Sequence, residues 1–449
     1  MKSYTPQIKS LPLDDTWDVI IAGGGPAGCT AAAAAAREGA RTLLIEATGA
    51  LGGMGTCGLV PCWCPFSDRE KIIYRGLAEK VFIACKAGIR HVAPDALDWV
   101  PIDPEHLKRV YDDLVTASGA TILFHTVLAS VEKDTDDQVS AILLANKSGL
   151  SACKAKVYVD CTGDADLAAW AGAAFEQGDA KGEVQPATLC FVLTNVDEYA
   201  YRHGSNMRQW PPDENGVVYR ILRSGKYPLI ADIHFCNNLI GPGTVGFNAG
   251  HLWDVDNTAP GKVSRAMIEG RKIAGAFRDA LAEFHPRAFA NAYLVSTATL
   301  MGSRESRRII GDYCLTVDDY RARRGFPDEI CRNSYAIDIH PSKEENTDPI
   351  KGFQTMVDRT EYYGKGESHG IPYRCLTPRG LKNVLVAGRS ISCDRIMQGS
   401  IRVMPVCLAM GEAAGMAAAH AMVMDTVDVH SIDVNRLRKR LKEENAYLP

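Results

Sequence analysis

An α/β fold with a buried parallel sheet is predicted by three observations. A short apolar strand, Trp17–Ala22, runs through a glycine-rich turn into an alanine-rich helix and then a second apolar strand, Arg41–Glu46. Two further apolar strands of the same kind, Val157–Asp160 and Asn383–Gly388, recur far along the chain. Between Ala129 and Ala155 the pattern becomes strand, polar turn, strand, glycine turn, strand, which reads as a small antiparallel meander.

Composition sets the bounds. The chain has 449 residues, 46% hydrophobic and 23% charged, the mix of an ordinary globular protein. A net charge of −4 excludes the overall basic field expected of a nucleic-acid binder. No run approaches the ~18 apolar residues of a membrane span. The start, MKSYTPQIKSLPLDDT, has no apolar signal core. The 14 cysteines are scattered, many of them in apolar runs, which suits small buried hydrophobes in a reducing cytoplasm. Self-association into a homo-oligomer stays open.

The elements follow in order. Residues 1–15 read as a polar N-terminal arm. The first strand, turn, helix and second strand form one βαβ unit of ~30 residues. Helical spacing predicts helices over 70–88, ending on Gly88, and over 103–118, entered through Asp103-Pro104-Glu105. Thr121–Phe124 is a strand, followed by the meander. From 176 to 349 the composition shifts towards aromatics, Arg and His, with helices at 260–283 and 286–293 and no second glycine-rich fingerprint. An apolar helix over 405–424 and a basic one over 434–444 close the chain. The expected organisation is a discontinuous domain of 16–175 and 350–449, with an inserted α+β domain of 176–349 covering its face.

Gly23-x-Gly25-x-x-Gly28 stands at the end of the first strand. The first Gly permits the tight turn, the second lets backbone approach a pyrophosphate, and the third allows helix and strand to pack closely. The helix N-terminus, opened by Pro26 and Ala27, offers partial positive charge to phosphates. Glu46 ends the second strand, followed by Ala47, and can accept hydrogen bonds from ribose hydroxyls. Strand, glycines, helix, strand and acid in register predict a Rossmann-like dinucleotide site.

Gly52-Gly53, then Met54-Gly55-Thr56, follow that acid. Here the sequence resembles the FAD-binding proteins of the glutathione-reductase-like superfamily. Val157–Asp166 resembles their second FAD motif, with Thr162, Gly163 and Asp164 against the cofactor. Asn383–Gly388 with Arg389, and Gly399–Ala418, resemble the C-terminal FAD motif. Ser303–Thr316 and Tyr335–Pro341 resemble the bacterial FAD-dependent oxidoreductase family, over about residues 16–424. Many relatives carry an Asp after the glycine of the C-terminal motif; here Arg389 stands in that place. The resemblance implies FAD, and puts the N-terminus of the last apolar helix, at Arg402-Val403-Met404, near the flavin. Pro405 suits the first turn of that helix, and its positive end favours an anionic reduced flavin. The Arg-Ser-His segment that carries covalent flavin in the related fumarate-reductase branch is absent after Gly53, so non-covalent FAD is expected.

Cysteines and histidines complete the reading. Cys57 and Cys62 have the C-x4-C spacing of flavin disulfide reductases, but the first falls four residues after Gly53 rather than two. No NAD(P)H fingerprint and no C-terminal His-x-x-x-x-Glu accompany them, so apolar packing is expected. Cys62-Trp-Cys64 has no neighbouring ligands at metal spacing, so no metal is expected. Flavin chemistry needs a base for the accompanying proton. His340, in Asp338-Ile339-His340-Pro341, is the first candidate, against a structural histidine in a loop. Arg304 could clamp a carboxylate or polar oxygen, sharing a face with Arg308 if the segment is extended, or could join an ion-pair network with Glu305 and Asp312. His234, Asn248 and His251 flank a glycine-rich segment and are further pocket candidates. The leading expectation is hydride transfer between flavin N5 and a small polar metabolite (an alcohol, amine or sugar carbon), with an unnamed electron acceptor. A hydroxylase, and a flavoprotein whose FAD is structural and whose surface docks partners, are the alternatives.

Overall fold

Five parallel strands form the central sheet, in the order Val384–Val386, Val157–Asp160, Val19–Ala22, Thr42–Ile45, Thr121–Leu123. The computed structural model describes residues 10–135, 137–209, 211 and 213–449. The four strands nearest the Val384–Val386 edge are buried along their length, which explains their unbroken apolar character. Val19 stands opposite both Thr42 and Val157, so the βαβ unit and the distant Val157 strand pair in register.

The helices on this sheet pack through small residues. The alanine-rich Pro26–Arg37 helix lies against the Met404–Ala421 helix so closely that a Cβ on Gly411 would collide with Ala27 O, and one on Gly415 with Ala31 O. Thr30 Oγ1 donates to Leu408 O at 2.7 Å across the contact. The Pro104–Ala117 helix begins where predicted, because Asp103 caps it by accepting from the backbone N–H groups of Glu105 and His106.

The predicted meander is present as Val127–Lys133, Val139–Asn146 and Gly149–Cys153, antiparallel throughout. Of the predicted arm, residues 1–9 lie outside the described residues; Leu13–Asp14 adds a short parallel strand to Gly149–Cys153. The helix predicted from 70 begins only at Leu77. Asp68 accepts from the backbone of Glu70 and Lys71 and holds that stretch in a turn. The helix predicted over 286–293 stops at Phe289, and Tyr293–Thr297 is a strand.

A second, antiparallel sheet runs Phe235–Gly241, Thr244–Ala249, Phe191–Thr194, Tyr293–Thr297. Phe191 stacks on Phe247 at 4.9 Å, and Phe277 of the long Pro260–Phe284 helix closes the cluster. This apolar core draws on residues 187–301 and also takes Phe353 and Met356 from the Pro349–Arg359 helix. Leu315, Ile330 and Ile337 instead join the core of the parallel sheet. No single helix among the described residues is long and apolar enough to cross a membrane.

Candidate active site

Two cavities meet at the C-terminal ends of the parallel strands. The first, about 430 Å³, is a groove that starts at the Gly23–Ala27 turn, passes Glu46 and Ala47, and continues by Gly53 and Met54. Its other wall is Thr162, Gly163, Asp164, Gly388 and Arg389. The second cavity, about 360 Å³, lies between the two sheets; Met54, Arg389, Arg402 and Met404 line both.

The glycines of the turn do separate work. Gly23 has φ +95° and its Cβ position is blocked by the Cys161 carbonyl and the Thr162 backbone, so both conformation and space demand glycine. Gly25 is different: φ is −70°, and a Cβ there meets nothing within 4 Å. The chain itself does not require glycine at 25, so the open volume beside it is space for a ligand. Gly28 does not line the groove; it lets helix and strand close against Gly23 O.

Glu46 accepts from Gly24 N and Thr48 N, each at 2.7 Å, which ties the acid to the turn. Each carboxylate oxygen keeps a further lone pair for a ribose hydroxyl. Gly55 and Thr56 do not line the groove: Gly55 is buried near Leu107, and Thr56 Oγ1 donates to Leu51 O at 2.6 Å. Arg389 pairs with Asp164 at 2.7 Å, and Ser306 and Asn257 also donate to that carboxylate. The residue in the place of the usual Asp is therefore half of a buried ion pair in the groove wall. Val403 is the N-cap of the Met404–Ala421 helix and faces the second cavity, while Arg402 and Met404 reach the groove.

The second cavity gathers His234, Asn248, Arg304, Tyr335, Asp338 and His340, with Cys62, Cys64, Cys190 and Cys236. A chain of contacts runs behind it. Asp232 Oδ2 lies 2.7 Å from His251 Nδ1, and His251 Nε2 lies 2.8 Å from His340 Nδ1. His340 Nε2 is 3.5 Å from Asp338 Oδ1. Burial lowers all three imidazoles, His340 and His234 strongly, so they are neutral at neutral pH. With both members neutral, the hydrogen bonds assign the protons. His251 Nδ1–H donates to Asp232, His340 Nδ1–H donates to His251 Nε2, and His340 Nε2, 3.5 Å from Asp338 Oδ1, is left as the nitrogen that can take a proton. Burial would raise Asp338, but His340, once it carries a proton, and then Arg402 and Arg304 outweigh it and hold that carboxylate well below its usual range. Arg402 donates to Asp338 Oδ2 at 3.1 Å.

His234, His251 and His340 are close enough to form a three-histidine cluster that no local spacing announced. His251 is bonded through both nitrogens, to Asp232 and to His340, and His234 Nε2 lies 3.4 Å from the Arg304 guanidinium, whereas His234 Nδ1 is buried without a hydrogen-bond partner.

The arginines separate. Arg308 pairs with Glu305 at 2.9 Å, one of the two acids the sequence offered for an ion-pair network, Arg307 pairs with Asp166 at 2.7 Å, and Arg304 stands apart from both. Asp312 pairs with His430. Cys57 and Cys62 are free thiols; Cys57 Sγ lies 3.6 Å from Thr48 Oγ1, and Cys62 lines the second cavity with Cys236. Asp232 and Asp338 were missed by the sequence reading. Each stands two residues before a candidate histidine, and that spacing was the available signal.

The parallel sheet, the glycine turn and the groove define a nucleotide-binding α/β protein. A model of the FAD-dependent oxidoreductase family matches residues 18–441, and the chain belongs to that family. It is an FAD-dependent enzyme. The open volume at Gly25 and the carboxylate at Glu46 fit that cofactor. Solved structures with a similar arrangement include a geranylgeranyl bacteriochlorophyll reductase-like protein from Thermoplasma acidophilum, 14% identical, covering 96% of this chain and 84% of that one, with a TM-score of 0.47. The p-nitrophenol 4-monooxygenase of Pseudomonas putida is 11% identical over 92% of this chain and 80% of its own, at 0.41. An anhydrotetracycline hydroxylase from Streptomyces rimosus is 14% identical over 95% and 65%, at 0.40.

Proposed function

We propose that this enzyme exchanges a hydride between flavin N5 and a carbon of a small polar metabolite held in the second cavity, with His340 as the base. The observation that carries the reading is the position of His340 Nε2, the nitrogen left outside the Asp232–His251–His340 hydrogen bonds and 3.5 Å from Asp338 Oδ1, in a cavity that shares Met54, Arg402 and Met404 with the groove.

FAD would lie non-covalently along the groove, its pyrophosphate beside Gly23, Gly25, Pro26 and Ala27, and its ribose at Glu46. Bound there, flavin supplies a two-electron acceptor or donor. The protein supplies the rest. His340 Nε2 takes the proton that leaves a hydroxyl or amine as its carbon is oxidised, and Asp338 stabilises the imidazolium that results. Asp232 and His251 hold the ring in the tautomer that presents Nε2 outward. Met54, Val60 and Met404 line the cavity with apolar surface that limits water. Residues 187–301, with the Pro349–Arg359 helix, act as the cover over the flavin face.

An anaerobic screen of metabolites for flavin bleaching tests the reading. An alcohol, amine or sugar that reduces the bound flavin is the expected result. Reduction only by NAD(P)H, with oxygen consumed and a hydroxylated product formed, would replace it with a hydroxylase.

A further inference from the structure

We propose that the second cavity takes an organic acid, with its carboxylate seated on the Arg304 guanidinium and its apolar body against the cavity's apolar side chains. This deepens the reading of that cavity as the substrate site and rests on it.

Arg304 is 6% exposed and lines the cavity. Its Nη1 donates to Pro186 O at 2.7 Å and to Thr188 Oγ1 at 3.0 Å, and its Nη2 lies 3.4 Å from His234 Nε2. All three partners are uncharged. Among the described residues no carboxylate lies within ion-pair distance of Arg304, and its Nε has no hydrogen-bond partner. Its neighbours are treated differently: Arg308 has Glu305 at 2.9 Å, Arg389 has Asp164 at 2.7 Å, and Arg402 has Asp338 at 3.1 Å.

A buried charge without a counter-ion is strongly disfavoured, and a guanidinium does not escape by losing its proton. Burial, with the nearby Arg402 charge, lowers Arg304 only to about 10, so it is cationic at neutral pH. Asp338 is committed to Arg402 and His340. Asp338 and Asp232 attract Arg304 only from beyond ion-pair distance, so the counter-ion in direct contact comes with the ligand. A carboxylate matches the guanidinium fork with two parallel hydrogen bonds, which a hydroxyl cannot do. The cavity also presents Val60, Trp99, Phe353, Met356 and Val357, apolar surface for a hydrocarbon body.

The test uses the FAD-loaded protein and follows the visible flavin spectrum during titration with benzoate, hexanoate and the neutral isostere benzamide. Benzoate is expected to perturb the spectrum and to bind at least about tenfold tighter than benzamide. Arg304→Met is expected to keep its FAD and lose that preference, and Arg304→Lys to retain part of it. The proposal is overturned by equal binding of benzoate and benzamide to the wild type, or by no perturbation with either acid at tens of millimolar. It is equally overturned if Arg304→Met keeps the preference, or if the purified protein holds a stoichiometric metal ion whose loss follows His251→Ala, since a cation there would displace the guanidinium. Should Arg304→Met fail to fold, the wild-type comparison of acid and amide decides alone. These are binding measurements, so they separate from the hydride reading. Acid preference with no flavin-reducing metabolite sinks that reading and leaves the acid site, and the reverse result sinks only the acid site.

Discussion

The groove and the second cavity share four side chains and differ in almost everything else. The groove is walled by backbone, small residues and a paired arginine, at the ends of strands whose register is set by a buried sheet. The second cavity is walled by histidines, an aspartate, arginines and thiols brought in from segments more than 270 residues apart, between Cys62 and His340. The contrast teaches where each kind of recognition resides. Holding a dinucleotide needs room and donors that come with any strand-turn-helix unit, whereas handling a reacting carbon needs charged groups whose protonation is set by neighbours.

The sharpest break is at Gly25. Gly25→Val fills the one open Cβ position of the turn, and FAD content should fall to near zero while the fold persists. Cofactor released on denaturation, measured by absorbance, checks it; wild-type occupancy would mean that the pyrophosphate lies elsewhere.

Next comes His340→Ala, which should keep FAD but slow flavin reduction by ~10²–10⁴, the scale of a lost general base. The pH profile carries a sign. Burial lowers His340 well below its ordinary value, so the neutral base persists through neutrality. Wild-type reduction should therefore decline only on the acid side, as His340 becomes protonated, and the variant should lack that limb. The same burial of His234 and His251 makes the unfolded chain bind protons first. Stability should be greatest above the ordinary histidine value and fall as pH drops below it, a trend that thermal unfolding across pH measures.

A smaller effect is expected behind the cavity. His251→Ala removes the partner that fixes the His340 tautomer, and reduction should slow by ~10–100-fold with FAD retained. A merely structural His251 would lower stability and leave the acid limb where it was; a positioning role moves that limb.

The smallest effect belongs to the thiols. Cys57 and Cys62 face different partners, so replacing both by Ser should leave substrate-driven reduction within about tenfold, ~1.4 kcal/mol on the barrier. A collapse of reduction with FAD still bound would make a dithiol part of the chemistry.

Local pattern carried the groove. Gly23, Gly25 and Glu46 were legible because strand, turn and helix are adjacent in sequence, and backbone geometry there is decided within a few residues. The sheet strands at Val157 and Val384 were legible because burial on both faces leaves only apolar residues possible. The start of the Leu77–Ala87 helix was not, because an Asx turn at Asp68 competes with helical spacing. Nor was the placement of the Pro349–Arg359 helix, whose Phe353 and Met356 complete the other core.

The sequence by itself determined the fold class, the glycine turn and the family, since each rests on spacing within one segment or on composition. Only the tertiary structure decided that Asp232, His251, His340 and Asp338 form one chain, and that Arg304 alone among its arginine neighbours goes unpaired. The reason is physical: a side chain's protonation and pairing depend on burial and on partners within a few ångströms, and those partners come from the inserted sheet, its loops and the C-terminal helix, distances that no one-dimensional spacing encodes.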